Sequence, residues 1–248
     1  MSTNWIRAGR YPNNVTGIIH LHLHAMEKEL NKYELGQVLL VDKPYDWTSF
    51  DVVRKIRGII KIKKVGHAGT LDPLATGLLI VCTGKFTKRI NEFMGMEKEY
   101  TGTFTLGAST PTYDLESEPE NHTSIDGLNE DKIHAATHPF IGEIQQVPPI
   151  HSAIKQAGKP VYLMARKGLD VVMEPRTLTI HHFSIDLIEL PIVHFKVVCS
   201  TGTYIRSLAH DFGKQLGCGA YLSSLRRTRI GAFKVEDAMT MEQVKEEL

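Results

Sequence analysis

The feature that most constrains the fold is an uninterrupted apolar run, Leu78 to Cys82, that follows the glycine-punctuated stretch KKVGHAGTLDPLATG. Five apolar residues bounded by Gly77 on one side and Thr83-Gly84 on the other predict a buried strand. The loop set against that strand carries one histidine, His67, and one aspartate, Asp72, with no second acid and no metal-ligand cluster beside them. A solitary carboxylate next to a core strand is the chemical question the sequence poses.

The rest of the chain surrounds that strand with mixed elements. GQVLLVDKP predicts a strand over Val38 to Val41, stopped by Asp42-Lys43-Pro44. WTSFDVVRKIRGIIK predicts a helix with a capping box at Thr48 and Asp51 and an apolar face of Val52, Val53, Ile56, Ile59 and Ile60. Arg54, Arg57 and Lys61 form a basic stripe on another face, either solvated or in contact with phosphate. KEYTGTFTLGAS alternates, with Tyr100, Gly102, Phe104 and Leu106 on one side of a half-buried strand. An acidic loop from Asp114, a helix around Glu130 to Thr137 and the extended QQVPPIHSAIK come next. RTLTIHHFSIDLIEL and HFKVVCSTG read as strands, TYIRSLAHDFGKQLG as a helix capped by Gly217, and RRTRIGAFKV as a last strand-like piece. A short acidic helix starts at the capping box Thr240 to Gln243. Without a strict βαβ rhythm, the fold class is α+β on a largely antiparallel sheet.

Composition excludes several classes. At 248 residues and 42% hydrophobic content the chain can bury a sizeable core. No apolar run reaches the roughly 18 to 20 residues of a membrane span, and no secretory leader is visible, so the expectation is a cytoplasmic protein with no membrane partner. Cys82, Cys199 and Cys218 are odd in number and widely spaced, and they read as packing residues. Residues 1–34 look like a weakly ordered extension, and its His20, His22 and His24 would share one strand face, either as a metal-binding comb or as a solvated tail. GLLIVCTGKF fails as a phosphate loop, because six residues rather than four separate Gly77 from Gly84 and Phe86 follows Lys85, so no nucleotide cofactor is expected. The chain carries 29 Lys and Arg against 28 Asp and Glu, but seven of those acids lie between Asp114 and Asp131, a stretch without Lys or Arg. The remaining surface is basic and allows a polyanionic partner.

Asp72 has two readings. With Pro73 after it, it can cap a helical turn; as an ionised carboxylate it can act as a nucleophile. Arg206 sits in the first turn of its helix, where the dipole disfavours a cation unless an anion lies opposite; Asp72 and a substrate phosphate are the two candidates, and an arginine pointing into water is the alternative. Tyr100 reads as a core tyrosine or, with Gly102 leaving room beside its ring, as a platform for an unstacked base.

VGHAGTLDPLATGLL, KEYTGTFTLGA, VPPIHSAIKQAGKPVY and CSTGTYIRSLAHDFGKQLGCGAYLSSLRRTRIGAF together resemble the bacterial TruB-type tRNA pseudouridine synthases, over about Gly36 to Phe233. The resemblance implies the pseudouridine synthase catalytic fold over residues 35–248, without the C-terminal PUA module of many relatives. It also implies isomerisation of uridine 55 in the T-loop of tRNA, by base flipping, with no cofactor or metal and by a monomer. Carried onto this chain, Asp72 is the catalytic aspartate, Tyr100 the tyrosine stacked on the target base and Arg206 the aspartate's partner. His67, Tyr204 and Leu225 match substrate-contacting positions, with Lys43 and Lys155 in support. Arg226, Arg227 and Arg229 are placed to hold phosphates. An RNA chaperone is the competing class, and a two-carboxylate hydrolase, with Glu143 as the second acid, is a third.

Overall fold

The computed structural model describes residues 31–150, 152, 155–156, 159–161 and 173–248; the histidine comb lies outside them. Its strands are β1 (Val38–Lys43), β2 (Val65–His67), β3 (Ala75–Thr83), β4 (Lys98–Leu106), β5 (Gly142–Gln146), β6 (Lys155–Gln156), β7 (Lys159–Pro160), β8 (Arg176–Glu189), β9 (Ile192–Cys199), β10 (Ala220–Ile230) and β11 (Phe233–Lys234). Seven of them run in the order β1-β3-β10-β4-β9-β8-β5, with β2 added to β3 and β11 to β10, as one nine-stranded sheet. Strands β6 and β7 form a separate hairpin. Within the sheet, β3 with β10 is the parallel pair and the others are antiparallel. The α+β expectation with a largely antiparallel sheet therefore holds.

The apolar run lies in β3, and its five residues are completely buried because the sheet is covered on both faces at this point. Leu79 and Val81 pack with helix α2 (Ser49–Ile60) through Val52, Val53 and Ile56. Leu78, Ile80 and Cys82 face Phe93, Ile230 and Val235 on the other side. Helix α2 is entered through the expected capping box, with Thr48 accepting from the Asp51 amide and Asp51 from the Thr48 amide. A one-turn helix, α1 (Lys32–Leu35), buries Tyr33 in this part of the core, so the packed unit already includes residues assigned to the N-terminal extension.

The second core lies under β4, β9 and β8. Phe104 is fully buried, stacked on Phe195 with ring centroids 4.1 Å apart, and it meets Phe183 and Phe212 at steeper angles. Two short helices, α3 (Ile90–Met94) and α4 (Glu130–Ala135), lie between β3 and β5 in the chain, and Phe212 comes from α5 (Ile205–Leu216), which ends at Gly217 in the left-handed conformation as its sequence predicts.

Three local expectations change. Strand β10 begins at Ala220, well before RRTRIG, because its register against β4 shifts between Leu222 and Ser224 and again between Arg227 and Arg229. Bulges of that kind break the two-residue period by which a strand is read from sequence. Asp72-Pro73 does not open a helix: the Ala75 amide bonds the Asp72 carbonyl in a turn, and the chain enters β3 directly. Gly102 leaves no recess beside Tyr100; a Cβ there would run into the Ser224 carbonyl and the Phe195 ring, so the glycine serves close strand approach at the bulge. Replacing Phe104 by Ala is expected to cost about 3–5 kcal/mol, read as a lower urea midpoint at unchanged slope.

Candidate active site

The loop that presents Asp72 is held from beneath by buried polar side chains. Lys43, at the end of β1 and fully buried, donates from Nζ to the carbonyls of Pro44, Trp47 and Pro73. Arg227, 1% exposed, donates from Nε to the Leu78 carbonyl at 2.7 Å and from its two terminal nitrogens to Thr70 and Gly69. Ser49, at the start of α2, exchanges hydrogen bonds with the amide and carbonyl of Leu71. Every buried carbonyl needs such a donor, and a turn that points a carboxylate outward turns several of them inward. Burial pushes the Lys43 ammonium down to about 8, against the pull of Asp72.

These contacts correct two expectations. Lys43 and Arg227 are buried rather than open to the groove, and their hydrogen bonds run to the loop and the strand below it. Nor is Arg229 a free phosphate contact, since it pairs with Glu97 at 2.7 Å and approaches Glu99. Arg226 does reach the surface, where its two terminal nitrogens grip Asp42 at 3.0 and 2.7 Å. Of Lys155, the structure describes the strand pairing alone.

Above the loop, Asp72 meets Arg206. The guanidinium Nε lies 3.0 Å from Asp72 Oδ2, and Nη2 donates to Oδ1 at 3.4 Å. Arg206 is 5% exposed while the Asp72 side chain is 36% exposed, so the pair spans from core to opening. The anion demanded by a cation at the start of α5 is thus present. A second carboxylate shares it: Asp114 Oδ2 stands 3.6 Å from the same Nε, and the Thr112 carbonyl accepts from Nη1 at 3.4 Å. Sequence reasoning missed Asp114, which looked like the first residue of a solvated acidic loop; Glu143, the named alternative, is exposed on the edge strand β5. Burial raises the Asp72 pKa, Arg206 opposes it, Asp114 adds to it and Lys43 opposes it.

Of the remaining candidates, Tyr100, Tyr204 and Leu225 lie near this pair. Tyr100 is buried in β4 in the same cluster as Leu71 and Ala75, and burial raises its phenol while the Arg227 guanidinium opposes. His67 ends β2 before the loop, its imidazole lowered by burial and by Arg227. Tyr204 precedes α5, and its backbone is clamped by the Gln146 amide, which accepts from the Tyr204 N–H at 2.8 Å and donates to its carbonyl at 3.1 Å. Leu225 pairs with Ala75 on β3 and with Gly102 on β4.

A narrow recess lined by Asp72, Asp114, Leu115, Leu222 and Leu225 holds about 20 Å³, room for one water. It adjoins a groove of about 570 Å³ lined by Tyr45, Thr76, Thr101, Thr103, His194 and Arg226, and the two share Leu74, Ser224 and Leu225. The Thr103 hydroxyl bonds those of Ser223 and Ser224, each at 2.8 Å, across the bulge. Among the described residues, no group of His, Cys, Asp and Glu is arranged to hold a metal, and no helix is long and apolar enough to cross a membrane.

A family model described as TruB family pseudouridylate synthase (N terminal domain) matches residues 57–205. Another, the tRNA pseudouridylate synthase B C-terminal domain, matches residues 206–248. The chain belongs to the TruB family. The tRNA pseudouridine synthase B of Flavobacterium johnsoniae is 52% identical over 224 residues, covering 88% of this chain and 98% of the relative. That of Phocaeicola vulgatus is 48% identical over 221 residues, covering 86% and 94%. Among solved structures, a chain of a Cbf5-Nop10-Gar1 complex superimposes with TM-score 0.68 at 34% identity over 88% of this chain. A chain of an H/ACA RNP bound to a substrate RNA containing 2′-deoxyuridine gives 0.65 at 32% identity over the same share. This chain spans 55% and 54% of those two. The fold is accordingly the pseudouridine synthase catalytic fold of the TruB family, and the boundary between its two family models falls at Arg206, inside α5.

Because three carbonyls would lose their donor, Arg227→Met is expected to cost about 3 kcal/mol, a melting drop of roughly 6–12 °C. Arg226→Ala, at the half-exposed neighbouring position, is expected to melt much closer to the parent. Calorimetry on both checks the buried assignment.

Proposed function

We propose that this TruB-family enzyme isomerises uridine 55 in the T-loop of tRNA to pseudouridine, in the cytoplasm and as a monomer, with Asp72 as the nucleophile. The observation that carries the reading is the Asp72–Arg206 pair, in which a carboxylate at the mouth of a cleft is gripped from the core by a buried guanidinium. Such a pair favours the ionised form and fixes the direction in which its free oxygen can attack.

The reaction balances without a co-substrate. Asp72 attacks C6 of the uracil or C1′ of the ribose, the C1′–N1 bond breaks, the freed uracil rotates, a C1′–C5 bond forms, the bond to Asp72 breaks to return the carboxylate, and the proton on C5 moves to solvent as N1 gains one. The base reaches the recess only when flipped from its stack, at a cost of a few kcal/mol offset by RNA contacts. Leu115, 46% exposed at the mouth, must yield, because the closed recess is smaller than a pyrimidine. Tyr100 backs the base from the core, Leu225 and Tyr204 border it, and His67 occupies the gap it leaves in the RNA. Arg226, half-exposed at the groove, meets phosphate by exchanging its Asp42 partner, while Lys43 and Arg227 act through the loop they hold.

Incubating unmodified tRNA with the enzyme, then derivatising and reading primer-extension stops, is expected to place one pseudouridine at position 55. Asp72→Asn is expected to abolish it with tRNA affinity unchanged; product from that variant would rule out the nucleophile, and tight binding without product by the parent would favour a chaperone.

The pH dependence follows from the pair. Activity requires ionised Asp72, whose pKa burial raises, so the rate falls as pH drops through a value above the ordinary carboxylate range near 4. Asp114 contributes to that upward shift. Asp114→Asn is therefore expected to move the acid limb of kcat/KM to lower pH, whatever it does to the plateau.

A further inference from the structure

The Asp114 turn is tied to α5 at a second point, which the proposed chemistry does not use. Tyr113 stacks on His210, with ring centroids 4.0 Å apart and planes within 14°. His210 lies four residues after Arg206, so the two side chains leave α5 on one face, a turn apart. Tyr113 itself stands between the two residues that contact the guanidinium: Thr112, whose carbonyl accepts from Nη1, and Asp114, whose carboxylate faces Nε.

Its backbone is unusual. Tyr113 has φ 63°, in the left-handed region that bulky side chains rarely occupy. Two hydrogen bonds hold it there, from its own N–H to the Thr110 carbonyl at 3.1 Å and from the Leu222 N–H to its carbonyl at 2.9 Å. Glycine would take this conformation at no steric cost, so a strained aromatic at the site points to a use for the ring. Burial, with Lys214 adding, pushes the His210 imidazole down to about 4, so the stacked ring is neutral near pH 7; Asp211 is the other ionisable group close to the stack.

We propose that the Tyr113–His210 stack is a positioning device that sets the approach of Asp114 to Arg206 and, through the shared guanidinium, the direction of the Asp72 carboxylate. The device rests on the reading of Asp72 as nucleophile. The turn and the helix come from distant parts of the chain, and two attachments one helical turn apart fix both their separation and their relative angle. The guanidinium alone ties the turn to α5 at one point, with the β10 backbone holding its other side at Leu222. A loosened turn would let Asp114 swing away and change how Arg206 shares its donors between the two carboxylates.

The test uses single-turnover kinetics on unmodified tRNA with the full chain. Tyr113→Phe keeps the ring and is expected to match the parent. Tyr113→Gly keeps the backbone and loses the ring; it is expected to melt no lower, to leave KM unchanged and to lower the catalytic rate constant on the order of ten- to hundredfold, the scale of a misplaced reacting group. His210→Ala should do the same, with the double variant no slower than either single one. In an Asp114→Asn background Tyr113→Gly should add no further loss. Parent-like turnover by Tyr113→Gly overturns the proposal, as does a full additional loss in the Asp114→Asn background. Asp72→Asn, run in parallel, separates the two readings: if it turns over, the nucleophile is wrong, whereas an inactive Asp72→Asn beside a fast Tyr113→Gly removes the positioning role alone.

Discussion

A guanidinium that is almost wholly buried at the positive end of a helix has to be met by negative charge, and in this protein two carboxylates meet it. Arg206 is placed by α5, Asp72 by the loop before β3, and Asp114 by the turn after β4, so one cation binds three separate stretches of chain. Removing a buried charge from water is costly, and the cost is offset only when the partners are close and well directed. The rest of the structure can be understood as the means of keeping those three stretches in place.

Each stretch has its own support, and the supports are polar and buried. Lys43, Ser49 and Arg227 satisfy the carbonyls and amides of the Asp72 loop, which would otherwise face the core unpaired. Gln146 clamps the residue before α5 from an edge strand. The Asp114 turn is fixed by the β10 backbone and by the ring stack on His210. The chemistry thus sits on a rigid frame, while the groove beside it, lined by hydroxyls, His194 and the half-exposed Arg226, is suited to an anionic, hydrogen-bonding polymer.

Membership of the TruB family sharpens what the frame is for. The lone nucleophile suggested by the sequence is, in space, one of two acids on a shared arginine, yet this is not the arrangement of a two-acid hydrolase. Asp114 is 5% exposed and turned toward Arg206 at the inner wall of the shared recess, whereas the Asp72 side chain is 36% exposed at the cleft. In the proposed reading one acid tunes and the other reacts, with burial and the neighbouring charges raising or lowering the Asp72 pKa.

Much of this was legible in the sequence wherever a short local rule governs. The apolar run of β3, the capping box of α2, the glycine stop of α5 and the need of Arg206 for an anion are all set by neighbours within a few residues, and each is found in the structure. What escaped depended on contacts between residues far apart in the chain. Arg227 lies in a run of arginines that reads as a phosphate-binding surface, but a bulge in β10 accompanies its turn beneath the loop. Gly102 suggested space and instead admits a strand. Asp114 looked like the start of a solvated tail of acids, since nothing local reveals that its turn packs on a helix some 92 residues away at Arg206. The sequence by itself determined the elements, the core and the family, because periodicity, caps and motif order are properties of the chain. Only the tertiary structure decided which charges stay exposed and which are buried in the scaffold, because burial and partnership are fixed when distant segments pack.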